Sequence, residues 1–337
     1  MKNRFTFIFI LAFAILVLIS CSQAGNETTP GKYKGPYIGQ KPPGQDPEVF
    51  APGFINTGPY TRDLAISPDG KEIFFCMSVP RYSAILVTRE ETDGWTDPEV
   101  VNNLNDPRYY YFEPCFSPDG QKLFFLSNMP DTANRETNID QDIWVMDRAE
   151  SGWGKPYNLG PPVNTDDEEY YPSLTSDGTL YFTRAAKGAQ VQYIYRSRFD
   201  NGSFQEPEML PENVNCGQSR YNAYISRDES FIIIPAAGMP DSYGGTDYYI
   251  SFRNEDNHWS KPVNMGPTVN TKGDREFSAS LSPDGKYLFF MSQRALEIPD
   301  KFTYSDMKKA YFETGYGNAA IYWVDAGFIQ NLKSEDR

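Results

Sequence analysis

The sequence predicts an all-β chain folded as a single propeller of five four-stranded blades. Three observations carry that prediction. A Ser-Pro-Asp-Gly-type turn recurs five times, each copy is flanked by short β-patterned runs, and a segment near the N-terminus copies the outer strand that the last repeat lacks.

The turns are Ser67-Pro68-Asp69-Gly70, Ser117-Pro118-Asp119-Gly120, Thr175-Ser176-Asp177-Gly178, Ser226-Arg227-Asp228-Glu229 and Ser282-Pro283-Asp284-Gly285, roughly 50 to 58 residues apart. In the first copy Leu64-Ala65-Ile66 precedes the turn and Glu72-Ile73-Phe74-Phe75 follows it, so the unit reads as a hairpin. A third β run follows each hairpin: Ala84 to Val87, Asp142 to Val145, Gln192 to Tyr195, Asp247 to Ile250 and Ala320 to Trp323. The fourth element reads Gly94-Trp95, Gly152-Trp153, Ser203-Phe204 and His258-Trp259, each with a proline three residues later and an asparagine beyond it: Asn105, Asn164, Asn215 and Asn270.

The fifth repeat has no such element after Trp323. Pro47-Glu48-Val49-Phe50 through Asn56-Thr57 copies the pattern of Pro262-Val263-Asn264-Met265 through Asn270-Thr271. The N-terminal strand is therefore expected to close the last blade and remove an open sheet edge. On these turns, over roughly residues 47 to 325, the sequence resembles the PD40 group of WD40-like repeats found in the TolB-like family. The resemblance implies a propeller and says little about activity. Members of that group are often six-bladed, but the insertion from Gln293 to Asn318 is too short and too charged for a sixth blade.

Ahead of the repeats, Lys2 and Arg4 precede an apolar run from Phe5 to Ile19 that has signal-peptide shape and is short for spanning a bilayer. It ends in Leu18-Ile19-Ser20-Cys21, which resembles the lipobox of bacterial lipoproteins and implies lipidation at Cys21. The expected organisation is a signal peptide over 1–20, a lipidated N-terminus and flexible tether over 21–46, and the propeller over 47–337. The expected address is the cell envelope, anchored by lipid, at the outer membrane facing the periplasm or the surface.

The formal net charge is −14, and removing the leader takes Lys2 and Arg4 with it, so nucleic acid is excluded as a partner. Beyond Cys21 only Cys76, Cys115 and Cys216 remain, an odd set expected to stay as free thiols. With His258 as the single histidine, a His-rich metal centre is excluded. No G-x-S-x-G elbow, dinucleotide fingerprint or P-loop is present, so no cofactor is expected.

Candidate site residues come from aligning the repeats on the turn. Four positions before it stand Asp63, Glu113, Tyr171, Asn222 and Ser278; six positions before it stand Thr61, Tyr111, Glu169, Arg220 and Glu276. Strict alternation would put both rows on one face of the innermost strands, near the axis. Asp63, Glu113, Glu169, Tyr171, Arg220, Asn222 and Glu276 are the ligand-binding candidates, because clustered Tyr, Arg and carboxylates suit polar ligands with apolar faces. Pairing of these side chains between neighbouring blades is the plainer expectation. The run Asp166-Asp167-Glu168-Glu169 reads as a solvated acidic loop before it reads as a Ca²⁺ site. The functional expectation is a non-enzymatic lipoprotein that binds a glycan, peptide or envelope protein. A glycan-active hydrolase using axial carboxylates is the alternative.

Overall fold

The structure, a computed structural model, describes residues 33–130, 140–273, 275–294 and 300–335. The expected signal peptide and Cys21 lie outside the described residues.

The described residues form five antiparallel blades around one axis. Blade 1 runs Tyr60–Ile66, Glu72–Val79 and Tyr82–Glu91, with Gly94–Trp95 and Glu99–Val100 as its broken outer strand. Blade 2 repeats this as Tyr111–Phe116, Lys122–Ser127, Asp142–Ala149, then Gly152–Trp153 and Tyr157–Asn158. Blade 3 is Glu168–Leu174, Leu180–Ala185, Gln192–Ser197 and Glu208–Met209, with a small hairpin of Phe199–Asp200 and Ser203–Phe204. Blade 4 has Ser219–Arg220 and Tyr224–Ile225 innermost, then Phe231–Ala237, Thr246–Phe252 and Val263–Asn264. Blade 5 takes Glu276–Leu281, Tyr287–Ser292 and Ala320–Asp325 from the C-terminal end and Glu48–Val49 from the N-terminal end.

That closure is held by more than two strand residues. Glu48 and Val49 pair antiparallel with Trp323 and Tyr322. The buried Asn56 side chain accepts from Ile321 N at 3.0 Å and donates to Ile321 O at 3.1 Å. Asn164 does the same to Ile143, Asn215 to Ile194 and Asn270 to Tyr248. The recurring asparagine thus staples the loop after each outer strand to the third strand. Asn105 is the exception and is exposed.

The turn sequence explains its own recurrence. Ser67 Oγ donates to Asp69 Oδ1 at 2.6 Å and accepts from Glu72 N at 2.9 Å, while Asp69 Oδ1 accepts from Lys71 N. Gly70 sits at φ 75°, where a side chain is strained. In the fourth copy Glu229 occupies that place at φ 56°. Its carboxylate accepts from Tyr181 Oη at 2.7 Å and pairs with Arg253, so contacts across the junction of blades 3 and 4 offset the strained backbone.

One region departs from expectation. Residues 33–46, read as part of a free tether, lie against the body. Ile38 is buried, Tyr37 meets Trp323 at 5.4 Å, Trp95 Nε1 donates to Gly35 O at 2.8 Å and Asp325 N donates to Gly44 O at 3.0 Å. The apolar side chains in this polar segment supply the reason, because Tyr33, Tyr37 and Ile38 join the core between blades 5 and 1. The insertion in blade 5 holds helix α1, Tyr304–Phe312, opened by a Thr303–Asp306 capping box and with no buried residue. It adds no sixth blade.

Each junction between blades carries an apolar plug on the side of the outer strands. Trp153 packs on Phe74 and Phe116 between blades 1 and 2. Trp259 lies with Tyr181 and Ile225 between blades 3 and 4, and Trp95 with Ile73 and Phe289 between blades 5 and 1. Between blades 4 and 5 the place is taken by the C-terminal helix α2, Phe328–Glu335, whose Phe328, Ile329 and Leu332 pack against Phe231, Phe252 and Val324. Between blades 2 and 3 the plug is Phe204.

Candidate functional site

The innermost strands share one irregularity that positions the axial side chains. In blades 1, 2, 3 and 5 the pairing of first and second strands slips near the fourth position before the turn, as between Arg62 and Ala65 in blade 1. The residue at that position is left-handed in all five blades: Asp63 at φ 54°, Glu113 at 60°, Tyr171 at 55°, Asn222 at 52° and Ser278 at 64°. Five non-glycine residues at positive φ on equivalent positions make a ring of β-bulges, which re-aim side chains.

What the bulges aim inward is a closed polar plug. Arg62, one residue before the first bulge, places Nε 2.6 Å from Asp63 Oδ2 and Nη2 2.7 Å from Glu113 Oε1. Glu113 Oε1 also accepts from Asn222 Nδ2 at 3.1 Å, and its Oε2 accepts from Tyr171 N at 2.7 Å. Asn222 Nδ2 and Arg62 Nη2 both lie 3.4 Å from Ser278 Oγ, and Tyr171 Oη donates to Ala279 O at 2.9 Å. The plug therefore ties residues of all five blades. The Arg62 guanidinium lies over the rings of Phe277, at 4.6 Å, and Phe112, at 5.1 Å.

The electrostatics follow from burial. Removal from water pushes the Glu113 carboxyl up to about 7, against the pull of Arg62 and with the help of Asp63. Burial works against the Arg62 charge, yet Asp63 and Glu113 hold its pKa above the ordinary value. Burial also drives the Tyr171 phenol far up.

The row six positions before the turn does not join this plug. Glu169 accepts from Thr165 N and Oγ1 at 3.0 and 2.7 Å and pairs with Arg184 at 2.7 Å, all within its own blade and the loop leading into it. Glu276 accepts from Thr271 Oγ1 at 2.5 Å and Ser292 Oγ at 3.1 Å. Burial raises both carboxyls to about 7. Among the described residues Arg220 meets no acid; it donates to the carbonyls of Cys216, Gln192 and Gly217. Thr61 donates to Pro59 O, and Tyr111 is buried in the core between blades 1 and 2. Of the seven ligand candidates, the structure brings Asp63, Glu113, Tyr171 and Asn222 together and assigns Glu169, Arg220 and Glu276 to holding loops. The acidic loop before Glu169 is tied down in part, with Asp167 Oδ1 accepting from Lys187 N. Among the described residues no group of three His, Cys, Asp or Glu is placed to hold a metal ion. Cys76, Cys115 and Cys216 are free thiols.

The plug leaves an axial funnel of about 290 Å³ on the face that carries the S-P-D-G turns. Its rim is the second residue of each turn, Pro68, Pro118, Ser176, Arg227 and Pro283, and its floor includes Asp63, Glu113 and Tyr171. The wall adds Cys115, Tyr224 and Leu281. Arg227 stands where three other copies have proline. It reaches across the mouth, 3.4 Å from Leu174 O of blade 3 and 3.4 Å from Phe116 O of blade 2. Among the described residues no carboxylate lies within ion-pair distance of it. Neither Arg62 nor Arg227 is among the ligand candidates that the repeat alignment gives; for Arg227 the signal in the sequence is the departure from Pro in the fourth copy.

No protein-family model matches the chain, and no curated protein matches it. Solved structures similar in fold include TolB from Acinetobacter baumannii, at 18% identity and a TM-score of 0.45 over 80% of this chain and 57% of that one. A structure described as a TolB candidate from Agrobacterium tumefaciens matches at 16% identity and 0.46 over 78% and 80%. The GH43 BlXynB protein from Bacillus licheniformis matches at 13% identity and 0.44 over 74% and 51%. The chain thus spans little more than half the length of the first and third of these.

Proposed function

We propose that this chain is a non-enzymatic, lipid-anchored protein of the cell envelope, whose rigid propeller seats a partner in the axial funnel on the turn face. The observation that supports this reading most is the plug. It spends the donors and acceptors of Glu113, Asn222 and the Tyr171 backbone on one another, so the axis is blocked midway and offers a shallow seat. A cavity of about 290 Å³ suits the terminal residue of a peptide or one sugar unit of a larger partner. Arg227 supplies a guanidinium at the mouth, beside proline and tyrosine surfaces.

Two measurements test it. An array of short peptides and oligosaccharides should yield binders that Arg227→Glu loses while its melting temperature is kept; identical binding by the variant would remove the funnel from consideration. Fatty-acid labelling in cells should mark the wild type and spare Cys21→Ala, and label retained in the variant would end the lipoprotein reading.

One observation favours the second reading, a glycan-active hydrolase: a carboxyl raised to about 7, as Glu113 is, suits a general acid. Against it, Glu113 and Asp63 grip the same guanidinium and both are buried, so they do not flank an open slot for a scissile bond. Sugar release that disappears in Glu113→Gln would establish the hydrolase.

A further inference from the structure

The five junctions are alike in construction, and one is left underfilled. At the junction of blades 1 and 2, Trp153 lies 6.0 Å from Phe74 and 5.8 Å from Phe116. Its strand neighbour Arg148 stacks on it at 4.1 Å and pairs with Glu72 across the junction at 2.6 Å. At the junction of blades 2 and 3 four of these five positions are changed. Phe204 replaces the tryptophan, Phe199 replaces Arg148, Leu174 replaces Phe116 and Lys122 replaces Glu72, while Phe124 keeps the place of Phe74. Three changes matter sterically. The indole becomes a phenyl, the opposing phenyl becomes a leucine, and the covering ion pair is gone.

The result is a cavity of about 590 Å³, floored by Phe124, Leu159, Val163 and Leu174 and walled by Phe204 and Phe199. Its mouth carries aromatic surface in water, with Phe199 45% and Tyr157 40% exposed. Lys122 at the rim is turned to Asp147, at 2.5 Å, and Tyr157 Oη, at 3.2 Å, so the ring-lined interior holds no competing cation. The other four junctions close the corresponding place with Trp95, Trp153, Trp259 or the apolar face of α2.

We infer that this junction is a binding site, separate from the axial funnel, for an aromatic side chain carried on an extended segment of a partner polypeptide. The occupant is read from the molecule itself. At the sister junctions the fold sets an indole borne on a short strand, Gly94–Trp95 or Gly152–Trp153, between the same walls, whereas here Phe204 and Leu174 fill less of that place, so the room left beside Phe204 is bounded by surfaces that elsewhere hold an aromatic ring carried on extended backbone. Aromatic anchors of this kind bring large apolar area at little conformational cost, and they dominate interfaces of this type.

The test uses the tripeptide Gly-Trp-Gly, with Gly-Leu-Gly and free indole beside it, followed by saturation-transfer NMR and titration against the whole chain. The tryptophan peptide should bind, the leucine peptide should be weaker by about tenfold, and Phe204→Trp should lower the affinity for Gly-Trp-Gly by at least about tenfold because it supplies the missing ring in cis. Leu174→Phe fills the cavity from the opposite wall and should do the same, so the outcome does not depend on one variant folding. Affinity unchanged in both variants, or equal binding of the leucine peptide, would overturn the site. Free indole binding as tightly as the tripeptide would overturn the assignment to a chain-borne side chain.

Discussion

Arg62 of blade 1 binds Glu113 of blade 2 through Nη2 and Oε1 at 2.7 Å while its Nε lies 2.6 Å from Asp63 of its own blade. One cation thus serves two buried carboxylates at the centre of the ring.

Arg62→Met is expected to cost about 3 to 5 kcal/mol, because it leaves two buried acids without their cation. Glu113→Gln should cost less, about 1 to 2 kcal/mol, since the amide still accepts from Tyr171 N and Arg62 keeps Asp63. Chemical denaturation of the purified variants measures both, and a Gln variant more damaging than the Met variant would contradict the arrangement.

The raised carboxyls set a direction for pH dependence. Glu113, Glu169 and Glu276, each pushed from 4.5 to about 7, hold their protons more tightly folded than unfolded. The stabilisation they give is complete below 4.5 and is lost as pH rises through about 7. The turn aspartates Asp69, Asp119, Asp177, Asp228 and Asp284 are shifted the other way, below 3.8, so their share is lost as pH falls. The melting temperature should therefore peak in mildly acid buffer and decline between pH 5 and pH 8, and Glu169→Gln with Glu276→Gln should flatten that decline.

Deleting residues 47–57 should lower the melting point of the whole ring, because it strips the outer strand from blade 5 and exposes the edge of Ala320–Asp325. Asn56→Ala is the finer probe. It leaves the buried Ile321 N–H without its acceptor, while Ile321 O keeps the bond from Phe50 N, and should cost about 1 to 3 kcal/mol by thermal or denaturant unfolding.

At the bulge of blade 5, Ser278 holds φ 64°, and among the described residues its hydroxyl makes only long contacts of 3.4 Å, to Arg62 and Asn222. Ser278→Gly should fall within about 0.5 kcal/mol of the wild type, the relief of strain offsetting the lost contacts. Ser278→Val, β-branched at positive φ, should cost about 1 to 3 kcal/mol in the same assay.

The fold was legible because turn chemistry is local. Ser67 and Asp69 close their turn with their own side chains, and the copies repeat it. Even the closing strand could be read, since Asn56 repeats the asparagine of complete blades. The axial row was legible as a row, but not its neighbours' separation from it. Alternation assigned Glu113 and Glu169 to one surface, whereas bulges at Glu113 and Tyr171 interrupt the period of two and leave Glu169 to its own loop. The inward packing of Tyr37 and Ile38 was hidden for the opposite reason, as two apolar residues in a polar stretch carry no periodicity.

The pairing of Glu48–Val49 with Trp323–Tyr322 also has a meaning in time. The segment synthesised first in the ring finds its sheet only after the last strand exists, and the Asn56–Ile321 bonds close a loop of 265 residues. Four blades can assemble from neighbours in sequence, but the circle is joined by contacts across nearly the whole ring, where closure entropy is greatest. Until then the two ends of an arc stay exposed, so completion of the ring is a late, all-or-none event to which the earlier blades remain hostage.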